Sequence, residues 1–596
     1  FKGRVPVELM GRTAFPPVDE LPYLLTLSAH GFYAFRLATD VAPPPWHEGR
    51  EERQLSPDLP VLILVEPGWA TLSGRREVSG GTDQLMARRA REQLEQQIMP
   101  RFFRSQPWFG NRNAVLEKFE LGEMHEWSIE RGRWLLAIVT LTLGSGERNR
   151  YAVPMALAWD DEGESLVSAV LPATLAKVRR RDRTGVLFDA FWDDDFCRAV
   201  ISSMEEGSTL SFGGGQVRFR ATSAFPGFNH QGNTAEVTRT VSERGRLLVN
   251  LGGRLVLKGY RWLLAGVHPE LEMSHFLTET AKFAHMAQLA GTVEYSDGKG
   301  DSSTLAILER YAENQGSAWA YTRDYLERYL DECRTQQKRL IDSRHAAYMA
   351  LVKTLGLRTA EFHQALAQPD PAGAFGSEAI TPEDVAEWVN NVRTQMDEMY
   401  MLLEAQLPRL PDSARLIGNS LLAARPRFYR RVGRAATLRP EAMKARCHGD
   451  YHLRQVWLSN NDFLITNYGG GPELAWRERR WKHTPLRDVA GMLFSFWEAA
   501  GAALEHVTAE YPEAGAALQQ QAENWRALAS SDFFKSYRTA MKGHALFPSD
   551  AAAVDTLVTL FMLEKAVASV SNALAQDLRL VDGPMQRLIQ LMQRRR

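Results

Sequence analysis

The chain has 596 residues, 44% of them apolar and 24% charged, with a net charge of −1. That length allows roughly three or four domains of about 100–200 residues each, and the composition is that of an ordinary globular protein, with basic runs such as Arg179–Arg181 and Arg594–Arg596 too short to suggest a nucleic-acid partner. Cys197, Cys333 and Cys447 are widely spaced, which excludes a disulfide framework and a CxxC metal site and fits a reducing cytoplasm. The most apolar stretch, Val489 to Leu504, is cut by Glu498 and is too short to span a bilayer, so no membrane association is expected. The N-terminus carries no export pattern. The chain opens at Phe1 inside a strand-like pattern, as a fragment of a longer protein would.

In chain order, the segments Val5–Leu9, Leu21–Leu27 and Gly31–Leu37 alternate apolar and polar residues between Pro and Gly turns, which predicts short antiparallel strands. Two or three such strands bury too little to stand alone. The phrase Leu21-Pro22-Tyr23-Leu24-Leu25-Thr26-Leu27, followed by Gly31-Phe32-Tyr33-Ala34-Phe35-Arg36-Leu37, resembles the end of the β-sandwich that closes a trehalose synthase of the α-amylase superfamily. Residues 1–41 are therefore read as its last strands, and 42–83 as a Pro-rich, charged linker. Gln84 to Met99 has apolar residues at helical spacing. Leu135–Leu141 and Tyr151–Leu157 change to a period near two, which predicts a small α+β cap over 84–209.

Further strands are expected at Gln216–Ala221, Leu247–Val249 and Arg254–Lys258, in a unit over 210–325. Beyond about Trp319 the chain reads as helical. Thr381 is an N-cap, Pro382 takes the first helical position and Asp384 follows three residues after the cap. Val385, Trp388, Val389, Val392, Met396 and Met399 then form one apolar face. The last predicted helix lies near Thr556–Ala566. Gly213–Gly215 and Gly469–Gly471 lack the strand-to-helix setting of a phosphate loop and read as turns.

Most of the chemistry falls in His448-Gly449-Asp450-Tyr451-His452-Leu453-Arg454-Gln455, followed by the strand pattern Asp462–Ile465. The stretch resembles the catalytic loop of a small-molecule kinase. In the H-R-D-x-x-x-x-N template the Asp takes the proton of the acceptor hydroxyl, and the amide five positions later helps hold magnesium. Asp450 is then the base and Gln455 a metal ligand, with the second metal ligand expected where Asn467 stands. Upstream, Lys258 ends an apolar strand and is expected to hold the nucleotide phosphates, fixed by Glu272 from the segment His268–Leu277. His448 is expected to brace the loop backbone, and Asp488 to anchor the loop without direct chemistry.

From about Arg91 to the C-terminus the chain resembles the maltokinases, which are found alone or fused behind trehalose synthase. The family's HGDYHLGQV, DFxIIDFEGEP and LxERRxKxSPLRDVAGM correspond here to His448–Val456, Asp462–Pro472 and Trp476–Met492. Weaker matches are Trp108–Gly110, Val256–Lys258, Pro269–Leu277, Ala318–Thr322 and Leu563–Ala566. The resemblance implies an α+β, bilobal, kinase-like (aminoglycoside phosphotransferase-like) fold: a nucleotide side over 210–325 and a helical lobe with the catalytic loop over 326–596, behind the N-terminal cap subdomain and the remnant β-sandwich strands. It implies ATP and Mg2+ as cofactors, maltose or a related small sugar as acceptor and maltose 1-phosphate as product. It also implies a trehalose synthase domain in cis, a homo-oligomer formed through that synthase, and a place in cytoplasmic trehalose and glycogen metabolism.

Several departures fall on the implied site. Asn467 replaces the family's magnesium Asp, and Gly469 and Gly471 replace its acidic neighbours. Arg244–Leu248 replaces a QSNTS loop, Asn111 and Arg112 end what the family writes as WFGGK, and Arg454 takes the place of a Gly. An amide offers magnesium one neutral oxygen, so bound phosphates would lose a compensating carboxylate. Three readings stay open: a maltokinase of low activity, a pseudokinase that serves the synthase as scaffold or regulatory domain, and a phosphotransferase with another acceptor.

Overall fold

The computed structural model of the chain describes residues 4–8, 14–15, 18, 32–38, 59–64, 69, 72, 81–110, 114–162, 164–180, 183–227, 236–242, 245–298, 300–336, 345–370, 373–471 and 476–593. Of the expected N-terminal strands, Val5–Glu8 (β1) pairs antiparallel with Phe35–Ala38 (β2). The strand expected over 21–27 and the linker prolines Pro43, Pro44, Pro45 and Pro57 lie outside the described residues, as do Asn111, Arg112, Arg244, Pro472 and Arg594–Arg596.

The next six strands are Val61–Ile63 (β3), Leu116–Ile129 (β4), Gly132–Leu143 (β5), Arg148–Trp159 (β6), Thr174–Arg180 (β7) and Arg183–Asp189 (β8). They form one sheet in the order β3-β7-β8-β6-β5-β4, antiparallel apart from the parallel β3–β7 pair. In β5 the period-two pattern sends Leu135, Ala137, Val139 and Leu141 to one core and Trp134 and Ile138 to another. The first core is closed by the predicted helix, which runs from Gly81 through a π-turn at Leu94–Ile98 to Ser105 and contributes Leu94, Ile98, Phe102 and Phe103.

A seven-stranded antiparallel sheet follows: Thr209–Phe212 (β9), Gly215–Ala221 (β10), Val237–Val241 (β11), Leu247–Leu251 (β12), Leu255–Gly259 (β13), Leu289–Ser296 (β14) and Ser302–Arg310 (β15). Its order is β11-β12-β13-β15-β14-β10-β9. The helix Asp194–Glu206 and the second core join the two sheets, since Trp127, Phe188, Phe196, Ile201, Phe219, Val249 and Leu308 belong to one buried cluster. Between β13 and β14 lies the short helix Pro269–His275, the segment expected to carry the lysine's partner.

The rest is helical. Ala318–Gln336, Ala346–Leu366, Pro382–Gln406, Leu486–Glu510, Gly515–Ala540 and Ala551–Gln576 share one core. The Thr381 side chain accepts from Asp384 N, and the Asp384 side chain accepts from Thr381 N, a capping box worth about 1 kcal/mol. The six apolar residues predicted for this helix are all buried, each adding up to about 1.5–3 kcal/mol. Two short pairs complete the lobe: Glu378–Ala379 (β16) with Met443–Lys444 (β17), and Val456–Ser459 (β18) with Asp462–Ile465 (β19). Asn460 and Asn461, at φ 49° and 61°, make the β18–β19 turn. Ile465 N donates to His285 O at 2.9 Å, which ties this hairpin to the segment entering β14. Among the described residues no helix is long and apolar enough to cross a membrane.

Candidate active site

The loop at 446–456 is held from behind by the helix Leu486–Glu510. Asp488, in its first turn and 2% exposed, accepts from His448 N at 2.7 Å and from Gly449 N at 3.0 Å. His363 Nε2 lies 3.2 Å from the same carboxylate, and His363 Nδ1 lies 3.0 Å from the Tyr537 hydroxyl. Burial opposes ionisation of Asp488, but His363 and the His448 N–H outweigh it and hold the carboxyl below its usual range. Gly449 adopts φ 80°, a conformation that favours glycine at this bend.

His448 is buried, and burial pulls its pKa down. As a neutral imidazole it donates from Nε2 to Thr466 O at 2.8 Å and accepts from Asp450 N at Nδ1 at 3.3 Å. It braces the loop to the strand end, as expected. Asp450 is half-buried, with His452 Nε2 3.4 Å from Oδ1. Arg454 stacks on Trp319 at 3.5 Å.

The two expected metal ligands, Gln455 and Asn467, and the expected base, Asp450, are joined through Gln455. Gln455 Nε2 donates to Asp450 Oδ2 at 3.2 Å, and Asn467 Nδ2 donates to Gln455 Oε1 at 2.8 Å. The amide oxygen that Gln455 would offer a cation is thus already an acceptor, and Asn467 points a donor where the template needs a carboxylate. Magnesium calls for hard oxygen ligands in near-octahedral geometry. Among the described residues no group of three His, Cys, Asp or Glu side chains could hold a metal ion. This donor set does not fit magnesium.

Lys258, at the end of β13, is 5% exposed. Its Nζ lies 2.7 Å from Glu309 Oε1 on β15 and 3.3 Å from Glu270 Oε1. The expected partner was Glu272, and the structure corrects this. Residues advance by about 100° each around a helix, so positions two apart point to nearly opposite sides. Glu270 faces Lys258, while Glu272 accepts from Arg446 Nη1 at 2.7 Å and from Arg480 Nη2 and Nε at 2.6 and 2.9 Å. Glu272 thereby ties the short helix to Arg446 at the start of the 446–456 loop and to Arg480 beyond it.

Arg246 Nη1, on a half-buried side chain, donates to Glu270 Oε2 at 2.9 Å and joins the buried Lys258, Glu270 and Glu309 in one cluster. Burial lowers the pKa of Lys258, but Glu309 and Glu270 outweigh it and raise it overall. Burial raises that of Glu270, and Arg246 and Lys258 reverse the shift. Glu309 stays above the carboxylate range through burial, with the Glu270 charge adding to it. Sequence reasoning missed Glu270, Glu309 and Arg246. A charge closing the apolar run Leu305–Leu308 was the one visible sign of Glu309.

The turn Gly469–Gly470 links the two halves of the site. A Cβ on Gly469 would lie 3.8 Å from Glu270 Oε2, and one on Gly449 would lie 3.5 Å from Gly470 Cα. Beside Gly449 opens a cavity of about 890 Å³, whose walls combine Asp384, Glu387, Trp388, Gln395 and Trp481 with cations such as Lys444, Arg479 and Lys482. Carboxylates, amides and indole rings suit the hydroxyls and apolar faces of a sugar.

Two enclosed imidazoles nearby, the buried His268 and the half-buried His483, set an acid limit on stability. Burial lowers His268 from 6.5 to about 4 and His483 from 6.5 to about 3. Both pKa values are lower folded than unfolded, so below pH 6.5 the unfolded chain binds more protons and stability falls until the folded values are passed. The melting temperature is expected to drop steadily between pH 6.5 and 4. A flat profile over that window would contradict the lowered pKa of both rings.

Comparison with known proteins bears on the N-terminal segment and on the fold. Residues 1–34 match the family described as maltogenic amylase, C-terminal domain. Over 37 residues the chain is 73% identical to the trehalose synthase of Pimelobacter sp. (strain R48), which is 6% of this chain and 6% of that protein. The chain thus spans about 6% of the length of that synthase. Over 191 residues it is 27% identical to the glucosamine kinase of Streptacidiphilus jiangxiensis, 31% of this chain and 37% of that one. A solved structure of glucosamine kinase in complex with glucosamine, ADP and inorganic phosphate superposes with a TM-score of 0.55 at 18% identity, covering 80% of this chain and 94% of that chain. The fold is kinase-like. It is the bilobal α+β class expected, with a cap sheet before the two lobes, behind a segment similar to the end of a trehalose synthase.

Proposed function

We propose that this chain is the maltokinase-type part of a trehalose synthase fusion in which transfer of a phosphoryl group from ATP to maltose is lost or strongly reduced, and that it serves the synthase in cis as a carbohydrate-binding scaffold. The observation that carries the reading is the hydrogen-bond chain Asn467–Gln455–Asp450, in which the Asn467 amide donates to Gln455 and the Gln455 amide donates to the carboxylate. Loss of one carboxylate ligand to a phosphate-bound metal costs several kcal/mol of transition-state stabilisation, on the order of a thousandfold or more in rate. The cavity beside Gly449 has polar and aromatic walls, and Asp450 follows Gly449 on the loop as the group to orient an acceptor hydroxyl and take its proton.

The match of residues 1–34 supports a synthase domain in cis, and the resemblance over His448–Met492 favours maltose as the sugar and maltose 1-phosphate as the product of any remaining activity. The test is incubation of the chain with ATP, magnesium and maltose, with glucosamine as a second acceptor. The expected rate of sugar phosphate formation is at least about a thousandfold below that of an active maltokinase. Rapid formation of maltose 1-phosphate would overturn the proposal, and rapid phosphorylation of glucosamine would replace the acceptor.

A further inference from the structure

We infer that Glu309 stands in for a nucleotide phosphate at Lys258 and, together with the turn carrying Arg246, keeps the phosphate position closed from within. The inference rests on reading Lys258 as the phosphate lysine of a kinase-like fold. Such a lysine needs a helix carboxylate to orient it and remaining donors for the anion. Here Glu270 supplies the first at 3.3 Å, and Glu309 takes the second place at the shorter distance of 2.7 Å. Glu270 and Glu309 are 2% and 5% exposed, so water screens little of this pairing.

The sheet builds this contact in. In the β13–β15 register Lys258 faces Ile307 and Val256 faces Glu309, so Lys258 and Glu309 are diagonal neighbours on one face. The second cation offers no surplus charge. Arg246 is committed to Glu270 at 2.9 Å and lies over the Tyr260 ring at 4.7 Å. Lys258 and Arg246 therefore spend donors on Glu309 and Glu270. An incoming polyphosphate would have to displace Glu309 from Lys258 and would meet the Glu270 carboxylate as a like charge.

The β11–β12 turn, which sends the Arg246 side chain to Glu270, offers no free N–H at its described ends. Ser242 N donates to Arg246 O at 2.8 Å, Gly245 N to Ser242 O at 2.8 Å, and Arg246 N to Ser242 Oγ at 3.1 Å. Those three N–H groups are spent inside the turn, where a phosphate-binding turn would aim them outward. The turn also seats on the cap. Gly245 has φ 74°, and a Cβ there would lie 2.2 Å from Pro107 O, so glycine is what allows the approach.

The test is calorimetric titration with ADP in EDTA, comparing the unsubstituted chain with Glu309→Gln and with Glu309→Met, a second variant that removes the carboxylate at similar volume. The unsubstituted chain should show no ADP binding up to millimolar nucleotide. Each folded Glu309 variant should bind at least about tenfold more tightly, because a like charge beside the phosphates is gone, and Lys258→Met in the same background should abolish the gain. ADP binding by the unsubstituted chain equal to that of the variants would overturn the inference, as would folded variants with no gain. Since magnesium is absent, failure here leaves the loss of metal-dependent transfer standing, and restored metal-dependent transfer without a Glu309 effect would separate the two.

Discussion

Asn467→Asp combined with Glu309→Gln should raise phosphoryl transfer from ATP to maltose by on the order of a thousandfold over the unsubstituted chain. The first change restores a carboxylate to the metal side and releases Gln455 Oε1 from its 2.8 Å bond to the Asn467 amide. The second frees Lys258 from the carboxylate that holds it at 2.7 Å. Asn467 has φ 61°, a left-handed conformation that Asp tolerates as well as Asn, so the backbone accepts the exchange. Each single change should give less than about tenfold, because a restored metal ligand acts only on a phosphate that Lys258 can hold, and residues that act as a unit are non-additive. Maltose 1-phosphate formation under identical magnesium and ATP checks this. A double variant no faster than the unsubstituted chain would place the loss elsewhere, with the β11–β12 turn the next segment to revert.

Asp488→Ala should destabilise the helical lobe by about 3–5 kcal/mol, the range for breaking a buried, hydrogen-bonded charge by removing one partner. The carboxylate accepts from two backbone N–H groups and faces His363, and alanine would leave all three without that acceptor in a dry interior. Asp488→Asn keeps one acceptor and should cost less. Its carboxyl pKa is lower folded than unfolded, so this contribution is present above the unfolded value of 3.8 and is lost as pH falls through the folded one. Urea unfolding followed by tryptophan fluorescence measures it. A change of under about 1 kcal/mol in the alanine variant would mean that the loop is held by other contacts.

What could be read in the sequence was local. The helix from Pro382 announced itself through Thr381, Pro382 and Asp384, and its apolar face is buried as patterned. The loop around Asp450 was legible because its residue types and spacing carry chemistry in themselves. The choice of Glu272 over Glu270 failed for a geometric reason. Two glutamates two positions apart are equivalent in sequence, and which one faces β13 depends on where the helix begins, here at His268 and Pro269. The partner Glu309 was hidden because β13 and β15 pair across more than forty residues of intervening chain. Strand β4 was missed because register shifts between Leu116 and Lys118 and between Leu121 and Met124 break its period-two alternation. The helix Asp582–Gln593 lies beyond the last segment predicted near Thr556–Ala566, and its Met585, Leu588, Leu591 and Met592 are buried in the helical core.

The loss of magnesium-dependent nucleotide use is tested most directly by calorimetric titration of the unsubstituted chain with ATP, once with magnesium and once in EDTA. With Lys258 neutralised by Glu309 and Glu270, and Asn467 donating to Gln455, the two titrations should be indistinguishable, with no saturable heat up to millimolar nucleotide. A saturable isotherm with a Kd in the micromolar range that appears only when magnesium is present would contradict it.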